Sequence, residues 1–116
     1  MRIFILEDME IRIDTFKNWF KEHELIFSKT AQEAIDILAK DLNFEVLFLD
    51  HDLGDRIFVS TNDENTGSRV AKFLSDKVIT GRIIIHSWNP CGAKNMMSYL
   101  PSAEYIPISS KDAFNL

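Results

Sequence analysis

The segment LFLDHDLG (47–54) is an apolar run that ends in two carboxylates and an imidazole. Two further apolar runs end in a similar way, one in Glu7-Asp8 and another in His86-Ser87. Carboxylate oxygens bind hard divalent cations, and an imidazole gives or takes a proton near neutral pH. Together these residue types are suited to binding a cation and transferring a proton at one site.

Apolar runs and amphipathic segments alternate along the chain. The predicted strands are residues 2–6, 25–28, 45–50, 82–87 and 104–108. The predicted helices are residues 9–22, 30–40, 66–76 and 92–100, with at most a stub of helix over 111–116. This alternation predicts one α/β domain over residues 1–116, with a parallel sheet covered by helices on both faces.

Ligands of such sheets bind at the carboxyl ends of the strands, which is where the acidic residues lie. If the first and third strands are neighbours, Glu7, Asp8 and Asp50 converge. Two like charges ~4 Å apart repel by roughly 4 kcal/mol at an effective dielectric near 20, so a cation, a shared proton or solvent must accompany them. We therefore predict a site for Mg²⁺, or for another divalent cation such as Mn²⁺ or Ca²⁺, formed by Glu7, Asp8, Asp50 and Asp52.

Asp8 also has a structural interpretation, because it precedes the helix predicted from residue 9. An aspartate at that position commonly caps the helix, and Glu7 would then face water.

His51 and His86 are the candidate proton-transfer groups, and with Asp50 they form the predicted catalytic set. Two imidazoles on adjacent strand ends could divide the roles of base and acid, and the sequence does not assign which does which. A structural role for each histidine is the alternative. Ser87 adjoins His86, but neighbouring strand residues point to opposite sides, so no nucleophilic triad is predicted.

The segment NPCGAKN (89–95) predicts an anion site where a helix begins. The first backbone N–H groups of a helix lack internal partners and carry partial positive charge, which favours phosphate. Ser87, Asn89, Gly92 and Lys94 are the predicted phosphate contacts, since Lys94 opposes the helix dipole unless it faces an anion. Asn89 is equally well explained as the cap of that helix.

Three other features have open interpretations. Trp88 either stacks on a base, covers the pocket or simply packs. The polar loop 54–65 contains an apolar island (57–59) that is a lid, a strand arm or a dimer contact. Cys91 is the single cysteine, which excludes an internal disulfide and fits a reducing cytoplasm.

The order of these elements resembles the receiver domains of response regulators. Those domains carry an acidic pair after the first strand, an aspartate at the end of the third and a hydroxyl residue after the fourth, which Glu7-Asp8, Asp50 and Ser87 match. The resemblance implies a three-layer, flavodoxin-like, doubly wound fold of five parallel strands in the order 2-1-3-4-5. It also implies Mg²⁺ at the acidic residues and phosphorylation of Asp50. Three features depart from the pattern: Lys111 follows the fifth strand several residues late, the last helix is truncated, and His51 and His86 have no role in ordinary receivers.

The segments LDHDLG (49–54), NTG (65–67) and HSWNPCGAKNM (86–96) resemble a narrower group, the cyclic-phosphate processing receiver domain family. The resemblance implies a phosphoesterase for a nucleotide cyclic phosphate or a related phosphodiester, with a metal in the acidic pocket and two histidines. The alternatives are a receiver-type phosphoacceptor at Asp50 and a non-catalytic module that binds a nucleotide or another anion.

Composition limits the partners. The net charge is −5 and no basic stripe is present, so duplex nucleic acid is not an expected ligand. The N-terminal apolar run, Ile3 to Leu6, is too short for a signal peptide or a membrane span. The expectation is a cytoplasmic protein that binds a small nucleotide or cyclic phosphate and not a membrane, with no prediction of its oligomeric state.

Overall fold

The computed structural model describes residues 1–54, 56 and 59–116. Its strands are β1 (Arg2–Leu6), β2 (Glu24–Ser28), β3 (Val46–Leu49), β4 (Arg82–Ile85) and β5 (Glu104–Tyr105). Its α-helices are α1 (Glu10–Trp19), α2 (Ala31–Lys40), α3 (Gly67–Leu74) and α4 (Pro90–Tyr99). A single 3₁₀ turn (Lys111–Phe114) stands where a last helix would be, which confirms the predicted truncation.

The five strands are parallel and lie in the order β2-β1-β3-β4-β5, as predicted. Helix α1 and the 3₁₀ turn cover one face, where Phe16, Phe48 and Phe114 belong to one buried cluster. Helices α2, α3 and α4 cover the other face around a second cluster that includes Leu49 and Met96. Both faces of β3 are therefore buried, which explains why its sequence is continuously apolar rather than alternating.

Strands β3 and β4 end earlier than the sequence predicted, but their backbone pairing continues past the last strand residue. The Asp50 N–H donates to the Leu6 carbonyl at 3.1 Å, and the His86 N–H donates to the Leu49 carbonyl at 3.1 Å. The chemistry-bearing residues are thus attached to the rigid sheet rather than to mobile connections, which fixes where their side chains point.

Part of the predicted polar loop is described. Ile57 and Phe58 of the predicted apolar island lie outside the described residues, whereas Val59 is buried. Within the described ranges, the longest helices are too short and too polar to cross a bilayer.

Candidate functional site

Three neighbouring strands deliver Glu7, Asp50 and His86 to one buried cluster. Each is the first residue after its strand, and because β1, β3 and β4 are in register the three lie in one row across the sheet. All three are almost fully buried, at 0%, 3% and 0% exposure. One carboxylate oxygen from each acid and one ring nitrogen of His86 lie within 4.8 Å of one another.

Glu7 and His86 form a buried hydrogen bond, with 2.9 Å between Oε1 of Glu7 and Nε2 of His86. The other oxygen, Oε2, accepts the backbone N–H groups of Asp8 and Met9 at 3.1 Å each. Burial alone would raise the pKa of Glu7, but the hydrogen bond and charge of His86 outweigh it and the pKa is lowered. Glu7 is therefore an ionised acceptor, and Nε2 of His86 donates.

The second ring nitrogen of His86, Nδ1, is buried and has no hydrogen-bond partner among the described residues. The ring packs edge-on against Phe16, with 5.1 Å between centroids. Because Nε2 donates to Glu7, Nδ1 of a neutral ring carries a lone pair that no protein group uses. An orphaned buried acceptor of this kind indicates a site for a proton or a cation.

Asp50 is the carboxylate in the middle of the row. Its Oδ1 accepts the backbone N–H of His51 at 2.9 Å. Burial raises the pKa of Asp50 to about 7; the charge of Glu7 adds to this rise, while His86 and Arg12 oppose it. Near neutral pH, Asp50 is therefore divided between its protonated and ionised forms, and an added cation would favour the ionised one.

Arg12 covers this cluster from α1, and sequence reasoning did not identify it. Its Nη1 lies 3.6 Å from Oε1 of Glu7 and 3.8 Å from Oδ2 of Asp50, and its side chain is 23% exposed. Both distances exceed those of good hydrogen bonds, so the contacts are ionic. The sequence could have indicated Arg12 by its spacing, because it lies one helical turn beyond Asp8, on the face of α1 that meets the acidic strand end.

The cluster fits a divalent cation, because two buried carboxylates converge there beside the His86 imidazole. Of the four carboxylates predicted to bind metal, Glu7 and Asp50 belong to this cluster, whereas Asp8 and Asp52 do not. Met9, not Asp8, is the N-cap residue of α1, so the capping interpretation of Asp8 does not hold either. The carboxylate that accepts backbone N–H groups at this turn is that of Glu7.

His51 lies on the opposite face of the sheet from His86. Asp50 lies in one row with His86, and His51 directly follows Asp50 in an extended segment, so the side chain of His51 points to the other side. Its Nδ1 is 2.8 Å from Oδ1 of Asp52, and its Nε2 is 3.0 Å from the hydroxyl of Ser68 on α3. The same Asp52 oxygen accepts the Asn89 amide at 3.0 Å and the Val59 N–H at 3.1 Å. The structure therefore places the two imidazoles in separate hydrogen-bond networks instead of around one cavity.

Two glycines permit α3 and α4 to approach the end of β3. A Cβ at Gly92 would lie 2.4 Å from Cγ of His51, and a Cβ at Gly67 would lie 1.9 Å from the carbonyl oxygen of Asp50. The Gly67 N–H also donates to the His51 carbonyl at 2.9 Å. Gly92, predicted as a phosphate contact, is thus required first for packing against His51.

The other predicted phosphate contacts shape the start of α4. The Ser87 hydroxyl accepts the Asn89 N–H at 3.0 Å, and Oδ1 of Asn89 accepts the Gly92 N–H at 3.0 Å, so Asn89 is the helix cap. Lys94 is exposed. Of the adjacent pair His86-Ser87, the ring of His86 is the side chain that meets the acidic cluster.

Trp88, Cys91 and Lys111 are exposed. Trp88 donates its indole N–H to the Ile108 carbonyl at 3.1 Å. Lys111 begins the 3₁₀ turn.

The sheet order, the helices on both faces and the acidic pocket define a receiver domain. The chain belongs to the cyclic-phosphate processing receiver domain family, whose sequence profile matches residues 2–102. No curated protein matches the chain in sequence.

Solved structures share the fold at low sequence identity. A CheY-like receiver domain from Methylobacillus flagellatus is 15% identical with a TM-score of 0.73, covering 99% of this chain and 92% of its own. The response regulator TrrA from Thermotoga maritima, solved in complex with Mg²⁺–BeF, is 18% identical with a TM-score of 0.71, covering 93% and 86%. A response regulator from Burkholderia pseudomallei, solved with a phosphorylated aspartate, calcium and citrate, is 16% identical with a TM-score of 0.71, covering 94% and 60%.

Proposed function

We propose that the Glu7–Asp50–His86 cluster binds a divalent cation together with the phosphoryl group of a nucleotide cyclic phosphate, and that the protein hydrolyses this ester or a related phosphodiester. The observation that carries the proposal is the buried bond between Glu7 and His86 in one cluster with Asp50, which leaves Nδ1 of His86 without a hydrogen-bond partner among the described residues. The description of the family supports the substrate class, and the TrrA complex with Mg²⁺–BeF supports cation and phosphoryl binding in this fold.

In the proposed reaction, a water oxygen attacks phosphorus and one ester P–O bond of the ring breaks. Nδ1 of His86 accepts the proton of the water and returns it to the departing oxygen, so the product is a phosphomonoester with a free hydroxyl. Glu7 holds the ring and the tautomer through Nε2. The cation, when bound, lowers the pKa of its water and neutralises phosphate charge.

Arg12 is the proposed phosphate ligand. Its guanidinium is held near Glu7 and Asp50 only by ionic contacts beyond 3.5 Å, so its donors can turn to phosphate oxygens. A planar guanidinium binds two such oxygens at once, which a lysine cannot do.

His51 is proposed as a positioning residue rather than as the second proton-transfer group. Both of its ring nitrogens already have partners in Asp52 and Ser68. Its backbone N–H orients the carboxylate of Asp50, and its ring fixes the segment that carries that N–H. The predicted catalytic pair of histidines is thereby reduced to His86 with Glu7.

The test is ³¹P NMR of 2′,3′-cyclic nucleotides and cyclic dinucleotides incubated with the protein, with Mn²⁺ or with EDTA. We expect a phosphomonoester resonance that requires the cation and is lost in His86→Gln. The matched control is His23→Gln, because His23 bonds to the N-terminal amine and packs near the Phe20 ring, and it is not a member of the acidic cluster. Unchanged substrates throughout, with circular dichroism confirming the folded wild type, would contradict the proposal.

A phosphoacceptor role for Asp50 is the second candidate, favoured by its position at the end of β3 with Oδ2 directed at Arg12. This role predicts that beryllofluoride and Mg²⁺ bind the wild type and not Asp50→Asn, as measured by ¹⁹F NMR. It also predicts that cyclic nucleotides remain intact. A non-catalytic nucleotide-binding module would instead bind the cyclic nucleotide without turnover and without beryllofluoride.

A further inference from the structure

Trp88 has an unusual environment for a large aromatic residue next to a buried cluster. It is 59% exposed, and of the large hydrophobic side chains exposed in the described ranges it alone is aromatic. Trp19, by contrast, packs against the rings of Phe16, Phe20 and Phe114. Trp88 therefore does not serve the core, and its large apolar face is in contact with water.

The exposed indole is nevertheless held in one orientation. Its Nε1 donates to the carbonyl of Ile108 at 3.1 Å, and the Ile108 N–H donates to the carbonyl of His86 at 3.0 Å. One edge of the ring is thus anchored to the backbone that extends β5, while much of the side chain faces solvent. A fixed aromatic face binds a planar ligand at a low entropic cost, because few rotamers are lost on binding.

The position of Trp88 relates this face to the proposed phosphoryl site. Trp88 follows His86 by two residues, so their Cα atoms are at most about 7 Å apart. His86 and Asp50 would meet the phosphate, and a nucleotide places its base one ribose away from that phosphate. A ring at this distance, on the same carboxyl edge of the sheet, matches the place where the base would lie.

We infer that Trp88 is a specificity-determining residue that stacks on the base of the nucleotide whose phosphate binds at Glu7, Asp50 and His86. This inference rests on the proposed function and adds the part of the substrate that the acidic cluster does not contact. Stacking is tolerant of base identity but grows with ring area, so purine nucleotides bind more tightly than pyrimidine nucleotides.

The experiment compares three ligands by isothermal titration calorimetry in Mn²⁺: adenosine 2′,3′-cyclic phosphate, uridine 2′,3′-cyclic phosphate and methyl riboside 2′,3′-cyclic phosphate, which has no base. His86→Gln supplies a protein without turnover, and Trp88→Leu and Trp88→Phe are made in that background. We expect Trp88→Leu to weaken the adenosine ligand by roughly 5- to 100-fold, in line with one lost base stack. In Trp88→Leu, we expect the uridine ligand to lose less affinity than the adenosine ligand, and the affinity of the base-free ligand to be unchanged. Trp88→Phe should retain most of the affinity for the adenosine ligand.

Fluorescence gives an independent readout, since the protein has two tryptophans. In Trp19→Phe, emission from Trp88 is expected to be quenched by the adenosine ligand and not by the base-free ligand. Equal affinities of Trp88→Leu and its parent for the adenosine ligand would overturn the stacking role while leaving the proposed function intact. No binding of any of the three ligands to the wild type or to His86→Gln would overturn both, because the inference requires the phosphate site.

Discussion

Glu7 and His86 are 79 positions apart in the sequence and share a fully buried hydrogen bond of 2.9 Å. They meet because β1 and β4 flank β3, so that their side chains approach each other beside Asp50. A buried ionised carboxylate is tolerated only when it is well paired. The pair is consequently a structural requirement of the pocket as well as the proposed source of its proton chemistry.

Truncation of Glu7 is the first test of that relationship. Glu7→Ala removes the acceptor of His86 and of two backbone N–H groups, so we expect it to lower the free energy of unfolding by about 3–5 kcal/mol. The measurement is urea denaturation at pH 7. The control is Glu10→Ala, an exposed α1 residue paired with Lys29, which should have little effect. Similar losses in the two variants would show that the buried pair has no special role.

Asp50 makes the stability of the cation-free protein depend on pH. Its folded pKa of about 7 lies above its ordinary value of 3.8, so between these values the folded state holds a proton that the unfolded state has released. The contribution of Asp50 to the free energy of unfolding is therefore most favourable at low pH and declines as pH rises toward 7. Asp50→Asn removes this dependence, and we expect it to stabilise the protein more at pH 8 than at pH 5.

The measurement for Asp50→Asn is thermal unfolding in EDTA at the two pH values. Because the dependence levels off above the folded pKa, the effect of Asp50→Asn should differ between pH 5 and pH 8 by at most about 3 kcal/mol. Added Mn²⁺ should raise the melting temperature of the wild type at pH 8 and not that of Asp50→Asn. A difference between variant and wild type that is the same at pH 5 and pH 8 would contradict the assigned burial of the charge.

Arg12 should have opposite effects on cation and phosphate binding. Because its guanidinium already neutralises Glu7 and Asp50, Arg12→Ala is expected to bind Mn²⁺ several-fold more tightly, as measured by calorimetry. The same variant should raise KM for the cyclic nucleotide by roughly 10-fold, because a charged hydrogen-bond partner is lost. Arg12→Lys should restore the weaker Mn²⁺ affinity but not the KM.

The control for this comparison is Lys17→Ala, which removes another cation from α1, at a position that contacts the Phe27 ring. Lys17→Ala should change neither the Mn²⁺ affinity nor KM for the cyclic nucleotide. If Arg12→Ala weakens both Mn²⁺ and substrate, the side chain supports the pocket instead of competing with the cation.

Gly92 tests the packing that keeps His51 in place. A glycine-to-alanine change in a helix normally stabilises it by about 1 kcal/mol. Here the added Cβ would approach Cγ of His51 to 2.4 Å, so we expect Gly92→Ala to destabilise the protein by about 1–3 kcal/mol. Ser98→Ala, on the exposed part of the same helix, should be nearly neutral in the same urea titration. A stable Gly92→Ala with an unshifted His51 NMR signal would contradict this contact.

The alternation of strands and helices could be predicted because the pattern of buried strands and amphipathic helices follows from local periodicity, whereas the strand order was implied by the family resemblance. The sequence also located Glu7 and Asp50 together, since parallel strands bring their carboxyl ends to one edge. It could not place the two histidines relative to each other. A shift of one residue in register exchanges the two faces of a strand, and His51 directly follows Asp50. The observed register is therefore needed to show that His51 and His86 belong to separate hydrogen-bond networks.

Arg12 was missed for a different reason. A charged residue on an amphipathic helix is usually solvated, and only coordinates reveal that this side chain reaches the acidic pair of the preceding strand end. In the sequence, Gly92 was predicted as a phosphate contact, and Asn89 as either a phosphate contact or the cap of its helix. The packing of His51 against Gly92 and the capping bond from the Gly92 N–H explain both residues without a ligand.

The most direct test of the central claim is the anomalous scattering of Mn²⁺ in crystals soaked at neutral pH. We expect one peak within about 2.3 Å of oxygens from Glu7 and Asp50, lost in Asp50→Asn. A peak held by Asp8 or Asp52 without these residues, or no peak in a lattice that leaves the pocket open, would contradict it.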